Sequence, residues 1–417
     1  MGNRLRHLRK RRNDTIAIDL CEDAFNTTHS RTTGEEICGW VWIRTGSRLS
    51  PGMLEIVFRG RSRVENNAIL QPVRTYRQRN FLEMKQPIEK DDFTPYDALK
   101  NGFLYRFPFT FIVPGKLPIH ACCHDGKFWN ALNSHLVLPP SIERSSDNKN
   151  MSRFDDMCPE NINIAYAVEA TVASERAGDF RSKEPWNFAS KKITIIPLSK
   201  RIDYLDSFDD LISSLPPSKF FAAQKKQTTE LHLEYVAATS ATIFLPLQHN
   251  TKEYTAIIPV KVTFESNHGG VPPKLSRISR KLVAHTTTKA VPFRASDSGP
   301  VRQSKHGVYT CDVSFSDLDV SSVQWETCPH AIDESDSLTG PACNSGDLMH
   351  GREIFSFEAM LQVPVSLSLG TKLAPSFDSC LISRSYTLEI SLSYRAAGKM
   401  GRSYADLKIP LRLVAQN

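Results

Sequence analysis

The sequence predicts an all-β fold: two consecutive antiparallel β-sandwich domains joined by one short connector helix. Three observations carry this. Between Tyr386 and Tyr394, Tyr386, Leu388, Ile390, Leu392 and Tyr394 fall on one side, and Thr387, Glu389, Ser391 and Ser393 on the other. That period of two describes a strand with one face in a core and one in water. Similar runs recur along the whole chain, punctuated by Pro, Gly and Ser turns. Helical spacing stands out once, between two strand-rich blocks, so the helices that a parallel α/β sheet requires between its strands are missing.

With 417 residues the chain is too long for one compact core. It divides into a basic tail (1–13), an N-terminal block (14–198), a connector (199–227) and a C-terminal block (228–417). No run approaches the ~20 continuous apolar residues of a membrane span. The start, Met1 to Asn13, lacks the apolar centre of a secretory signal, which points away from export. Nine cysteines, odd in number and irregular in spacing, with Cys122 beside Cys123, argue against a disulfide framework and for free, mostly buried thiols in a reducing compartment.

In the first block, Ile16–Leu20 and Ile37–Ile43 read as strands, with Gly39 marking a bulge or a close backbone approach. A turn at Ser50-Pro51-Gly52 leads into Leu54–Arg59. The charge-rich stretch 71–101 reads as a loop or marginal helix. Phe107, Phe109, Phe111 and Val113 alternate with Pro108, Thr110 and Ile112; since proline has no amide hydrogen to donate, Pro108 places this strand at an edge or an irregular beginning. His135–Ser141 stops at a double proline. Ile162 to Val172 alternates again, and Lys191–Pro197 closes the block.

Ile202, Leu205, Phe208, Leu211, Ile212 and Leu215 then recur at spacings of three and four, an amphipathic connector helix ended by Pro216-Pro217. Beyond it, Leu231–Leu247, Thr255–Phe264, Leu282–Thr288, Val308–Phe315, Ile354–Leu369, the Tyr386 run and Leu407–Leu413 are candidate strands. Stretches 289–307 and 329–352 are rich in Ser, Gly, Pro and Asp and read as loops.

Charge is concentrated at one end. Arg4, Arg6, Arg9, Lys10, Arg11 and Arg12 account for six of the net seven positive charges, so the pI reflects the tail and not a nucleic-acid-binding fold. These six residues are the candidate binding site of the chain. Near an anionic membrane each contributes on the order of 1 kcal/mol, and Leu5 and Leu8 supply apolar anchors. A nuclear import signal in Arg9–Arg12 and a solvated, idle tail are the rival readings. Gly2 is not a myristoylation site, because Arg6 stands where Ser or Thr is needed.

No Gly-x-Ser-x-Gly, His-Glu-x-x-His, phosphate loop or dinucleotide fingerprint occurs in the chain. The expectation is a protein that is not an enzyme, with no cofactor and no small-molecule substrate. His120-Ala-Cys122-Cys123-His124 has the residue types of a zinc site, but adjacent cysteines do not readily face one ion, and a plain loop is the favoured reading. Cys328, His330, Cys343 and His350 are better spread, within a Ser- and Gly-rich loop.

The order of landmarks resembles that of fungal arrestin-like proteins over nearly all of residues 14–417. The carriers are Gly39–Ile43, Leu54–Ser62, Phe107–Pro114, His135–Ser141, Asp155–Pro159 before Ile164-Ala-Tyr166, Val363–Leu367, Leu373–Phe377, Ile382–Leu388 and Lys408–Leu411. The resemblance implies two sandwiches end to end and a cytoplasmic adaptor, peripheral at the plasma membrane or endosomes. Such an adaptor binds cytoplasmic segments of membrane transporters or receptors and links them to a WW-domain ubiquitin ligase and endocytosis. The usual Pro-Pro-x-Tyr ligase motif departs here: the Pro-Pro pairs continue as Ser141-Ile142, Ser218-Lys219 and Lys274-Leu275, and Thr94-Pro95-Tyr96 lacks the first proline. Ligase contact is therefore expected to be indirect. A vesicle-sorting or signalling scaffold of the same fold that recruits no ligase is the alternative. A nucleic-acid role through the tail is the third reading.

Overall fold

The computed structural model describes residues 15–21, 30–66, 75–99, 102–121, 135–142, 157–173, 185–198, 231–236, 241–246, 253–266, 270–288, 307–328, 355–368, 373–398 and 400–416. Among them the fold is nearly all β. The first half contains β1 (Thr15–Leu20), β2 (Glu36–Thr45), β3 (Leu54–Asn66), β4 (Thr75–Lys85), β5 (Asp97–Leu99), β6 (Gly102–Ile112), β7 (Ile162–Ala173) and β8 (Pro185–Ile193). They form two antiparallel sheets, ordered β1-β2-β6-β5 and β4-β3-β7-β8. Alternation directs Ile37, Val41 and Ile43 of β2, Phe107, Phe109 and Phe111 of β6, Phe58 of β3 and Tyr166 of β7 into one shared core, a sandwich-like arrangement. Gly39 is a close approach: a Cβ there would lie 2.2 Å from the Asp19 carbonyl oxygen and 2.7 Å from the Phe109 ring.

The second half contains β9 (Leu231–Tyr235), β10 (Ala241–Pro246), β11 (Glu253–Ser266), β12 (Lys274–Thr288), β13 (Gly307–Ser314), β14 (Leu318–Asp319), β15 (Glu326–Cys328), β16 (Phe355–Ser368), β17 (Phe377–Asp378), β18 (Ile382–Arg395) and β19 (Ser403–Gln416). One sheet runs β10-β19-β18-β12-β13, with β14 on β12 and β17 on β18; the other runs β15-β16-β11-β9. Their inner faces meet in a second core built on residues such as Ile243, Val260, Leu282, Val363, Leu388 and Leu413.

Several expectations need correction. The sheets are not wholly antiparallel, because β10 joins β19 in parallel. The long chain between these strands supplies the crossover that parallel pairing requires. Leu231–Leu247 is two strands, β9 and β10, in different sheets. Within 71–101, the described residues 75–99 hold β4, a 3-10 turn at Lys90–Phe93 and β5 rather than a loop or helix. Two effects hid β4. Its charges face outward and pair across strands, Glu83 with Arg59 and Lys85 with Glu55. A register shift also sets Gly60 opposite Leu82 and Arg61 opposite Asn80, so that Phe81 and Leu82 are both buried and the period of two breaks. The run that stops at the double proline, His135–Ser141, forms no strand. Pro139-Pro140 offers no amide hydrogens, and its neighbour Ile142 makes only an isolated bridge to Ile164. The connector helix at 202–215, the boundary at 199–227 and the tail lie outside the described residues.

The strand prolines share one logic. Pro108 lies beyond the point where β5 stops pairing with β6 at Leu104, and Pro410 lies one residue before β10 begins to pair with β19 at Leu411. Pro259 lies one residue past the β9 ladder on β11, which starts at Val260, and Pro364 lies beyond the β15 ladder on β16, which covers Ser356–Glu358. Each sits where the shorter neighbour has ended, so its missing N–H costs no ladder bond.

On the outer face of the second sheet, Glu169 of β7 is only 2% exposed. It is compensated by Arg59 and Arg61, each with a guanidinium nitrogen 2.5 Å from its carboxylate. Removing one partner of such a set strands the others. Glu169→Ala is expected to lower the unfolding free energy by about 3 kcal/mol in denaturant titrations. The half-exposed Arg61 is worth less, and Arg61→Ala is expected to cost about 1 kcal/mol.

Candidate functional site

The two cores exchange residues. Ala374, Phe377, Cys380, Leu381 and Ile382, from the second half of the chain, are buried in the first core, while Met157 from the first half is buried in the second. Polar groups line the seam between them. β17 pairs with the start of β18, Phe377 opposite Arg384 and Asp378 opposite Ser383, which fixes where these side chains emerge. Ser379 tightens the turn by donating its hydroxyl to the Ile382 carbonyl at 2.6 Å.

Arg384 is the centre of the seam. It is 1% exposed and stands on the inward face of β18 with Ile382, Tyr386 and Leu388. Its Nη1 donates to the Met157 carbonyl at 2.9 Å and to Thr286 Oγ1 at 2.6 Å, and its Nε donates to Tyr386 Oη at 3.2 Å. Tyr386 Oη in turn donates to the Ala374 carbonyl at 2.6 Å. Met157 has φ of 58°, the one positive value outside glycine among the described residues. A left-handed conformation costs a non-glycine residue about 1–2 kcal/mol. Here it accompanies a side chain buried in the second core and a carbonyl hydrogen-bonded to Arg384.

Beside it, His135 Nε2 lies 3.1 Å from Asp378 Oδ2, and Cys380 Sγ lies 3.8 Å from His135 Nδ1. All three side chains are buried. The imidazole thus spans a carboxylate and a thiol. The adjoining cavity, bordered by Ser62, Arg79, His135 and Cys380, has room for a water-sized molecule and no more. The array is built to hold the first half against the second.

A different surface is open. On the outer face of the first sheet, the Arg106 guanidinium lies 4.1 Å from the Trp40 ring, 4.6 Å from Tyr96 and 5.7 Å from Trp42. Pro108 is exposed on the same face, as are Ile112 and Tyr96 at 57% and 58%. Aromatic rings, a cation and apolar groups at one accessible place form a surface of the kind that protein interfaces use.

The sequence-derived candidates fall elsewhere. Arg4, Arg6, Arg9, Lys10, Arg11 and Arg12 lie outside the described residues, as do Cys122, Cys123, His124, His330, Cys343 and His350. His120 is exposed in the 3-10 turn Ile119–Ala121. Cys328 sits on β15 near the Lys261–Glu358 ion pair; burial pushes its thiol up, and Glu358 adds to the effect. Among the described residues no group of three or more His, Cys, Asp or Glu side chains is arranged to hold a metal ion, and no helix is long and apolar enough to cross a membrane. Sequence reasoning missed the seam, although Arg384 carried a signal: a charge at the inward parity of an alternating strand. No family model matches the chain, and no curated protein sequence matches it.

Arg384→Leu leaves the Met157 carbonyl and the Thr286 hydroxyl short of a donor and is expected to lower stability by about 3 kcal/mol, read from the denaturation midpoint. Arg384→Lys restores the charge without the fork and is expected to recover less than half of that loss. The neighbouring His285, 3.1 Å from Thr387 Oγ1, gives a pH dependence. Burial holds its imidazole below the ordinary 6.5; Glu389 opposes the shift, while Lys408 and Arg384 add to it. Folding favours the neutral ring, so its contribution is present above the unfolded value and is lost as pH falls through the folded one. The thermal midpoint is expected to drop as pH falls below about 6.5, and His285→Gln to flatten part of that slope.

Proposed function

We propose that the chain is a non-catalytic adaptor, resembling arrestin-like proteins, in which two β-sandwich domains lie end to end. It binds cytoplasmic segments of membrane transporters or receptors and links them to ubiquitination and endocytic trafficking machinery. The observation that carries this reading is the seam: each core takes residues from the other half of the chain, and a buried arginine ties the two together, while the outer face around Trp40, Trp42 and Tyr96 stays accessible. That combination suits a rigid bracket that presents surfaces rather than a cleft that processes a substrate. The basic tail adds attraction to an anionic membrane and concentrates the protein where such segments are found.

A second reading, a sorting scaffold that recruits no ubiquitin ligase, is favoured by the absence of Pro-Pro-x-Tyr. Purification of the tagged full-length chain from detergent-solubilised cells decides between them. The adaptor reading expects a transporter or receptor and a ubiquitin ligase, both enriched several-fold over an Arg384→Leu control. Cargo without ligase selects the scaffold. Enrichment of neither sinks both.

A further inference from the structure

β1 and β2 pair antiparallel with Leu20 opposite Gly39. The next residues in register are Cys21 and Cys38, and the Cys21 amide donates to the Cys38 carbonyl at 3.0 Å, which carries the ladder one step past the end of β1. Cys38 shares the outward face with Trp40 and Trp42. Cys21 shares it with Asp19, which stands opposite Trp40. The two side chains face each other across the ladder, close enough for Cys21 to act on the Cys38 thiol. Both are free, and Cys21 is exposed. Directly opposed residues of an antiparallel pair have Cα atoms about 4.5–5.5 Å apart, within the roughly 4.4–6.8 Å that a disulfide spans. Two other strand cysteines lack such a partner: Cys311 stands opposite Ala284, and Cys328 opposite Ser356.

We propose that Cys21 and Cys38 form a reversible cross-strand disulfide by exchange with a low-molecular-weight disulfide of the glutathione class. Cys21 acts first because it is the accessible thiol. Its thiolate attacks one sulfur of the small disulfide; that S–S bond breaks, and the departing thiolate takes up the proton that Cys21 released. Cys38 then gives up its proton and attacks Cys21 Sγ. The Cys21–Cys38 bond forms as the mixed disulfide breaks, and the second small thiol leaves with that proton. Two protein thiols are oxidised, and one small disulfide is reduced to two thiols. The order of attack also fits the state of Cys38: its contact with Cys21, together with burial, pushes its thiol up to about 11, so it remains protonated until the mixed disulfide is in place. The product fastens β1, an edge strand of its sheet, to β2 by a covalent bond.

The test uses the full chain, incubated with oxidised glutathione, alkylated, digested and mapped by mass spectrometry. The expected result is one linked peptide pair containing Cys21 and Cys38, lighter by about 2 Da than the two free peptides. Excess reduced glutathione is expected to return both cysteines to alkylatable thiols. Cys38→Ser is expected to trap glutathione on Cys21 with no link, and Cys328→Ser to leave the link unchanged. The proposal is overturned if both cysteines remain alkylatable after oxidation, if Cys21 links to a different cysteine, if glutathione stays trapped on wild-type Cys21, or if the link resists reduced glutathione.

Discussion

The buried guanidinium of Arg384 is the constraint on which the arrangement of the two cores depends. Taking an arginine out of water costs several kcal/mol, and apolar packing alone would not choose this site for it. What it gains is direction. Its donors reach Met157 from the first half, Thr286 on β12 and Tyr386 on β18, and Tyr386 passes the connection on to Ala374. Apolar surfaces tolerate sliding, whereas a set of hydrogen bonds from one planar fork is satisfied in one relative placement. The His135–Asp378 pair adds a second fixed point, so the seam is pinned at two places.

Away from the seam the problem is the opposite one, keeping sheet edges from pairing with other chains. β5 and β15 are short, which leaves most of one side of β6 and β16 without a ladder partner among the described residues. Pro108 and Pro364 fall within those stretches. At Pro364 the carbonyl also accepts a hydrogen bond from Arg280, reaching over from the opposing sheet and donating to Ser316 as well. Cross-strand ion pairs such as Lys261–Glu358 and Lys408–Glu389 mark the register on outer faces. Each contributes little to stability, but a one-residue slip would misalign them along with the apolar face.

How much of this was legible depended on whether the signal was local. The alternation of β18, β6 and β7 needs only neighbours in sequence, and these strands stand where the period placed them. β4 was lost because its bulge puts Phe81 and Leu82 on the same side and because its charges belong to a paired face. The parallel contact of β10 with β19 and the meeting of His135 with Asp378 join residues far apart in the chain, and no spacing rule reaches them. Arg384 lay between these extremes. Its parity was visible, but the carbonyl that meets it comes from Met157, whose backbone conformation no side-chain pattern announces. The Trp40 and Trp42 pair was legible as a strand; its outward aim and the arginine stacked on it required the fold.

The exchange of residues between the cores also bears on synthesis. As the chain emerges from the ribosome, the strands through β8 can pair, but their core lacks Phe377, Leu381 and Ile382 until those residues have been made. The second core in turn waits for β19, which must be in place before β10 can find its neighbour. Neither half therefore reaches its final packing on its own, and the growing chain carries an incompletely closed apolar interior until β19 has been made. Apolar surface left open for that interval is the kind that chaperones bind, so the interlocking that fixes the finished seam also lengthens the time the unfinished one is exposed.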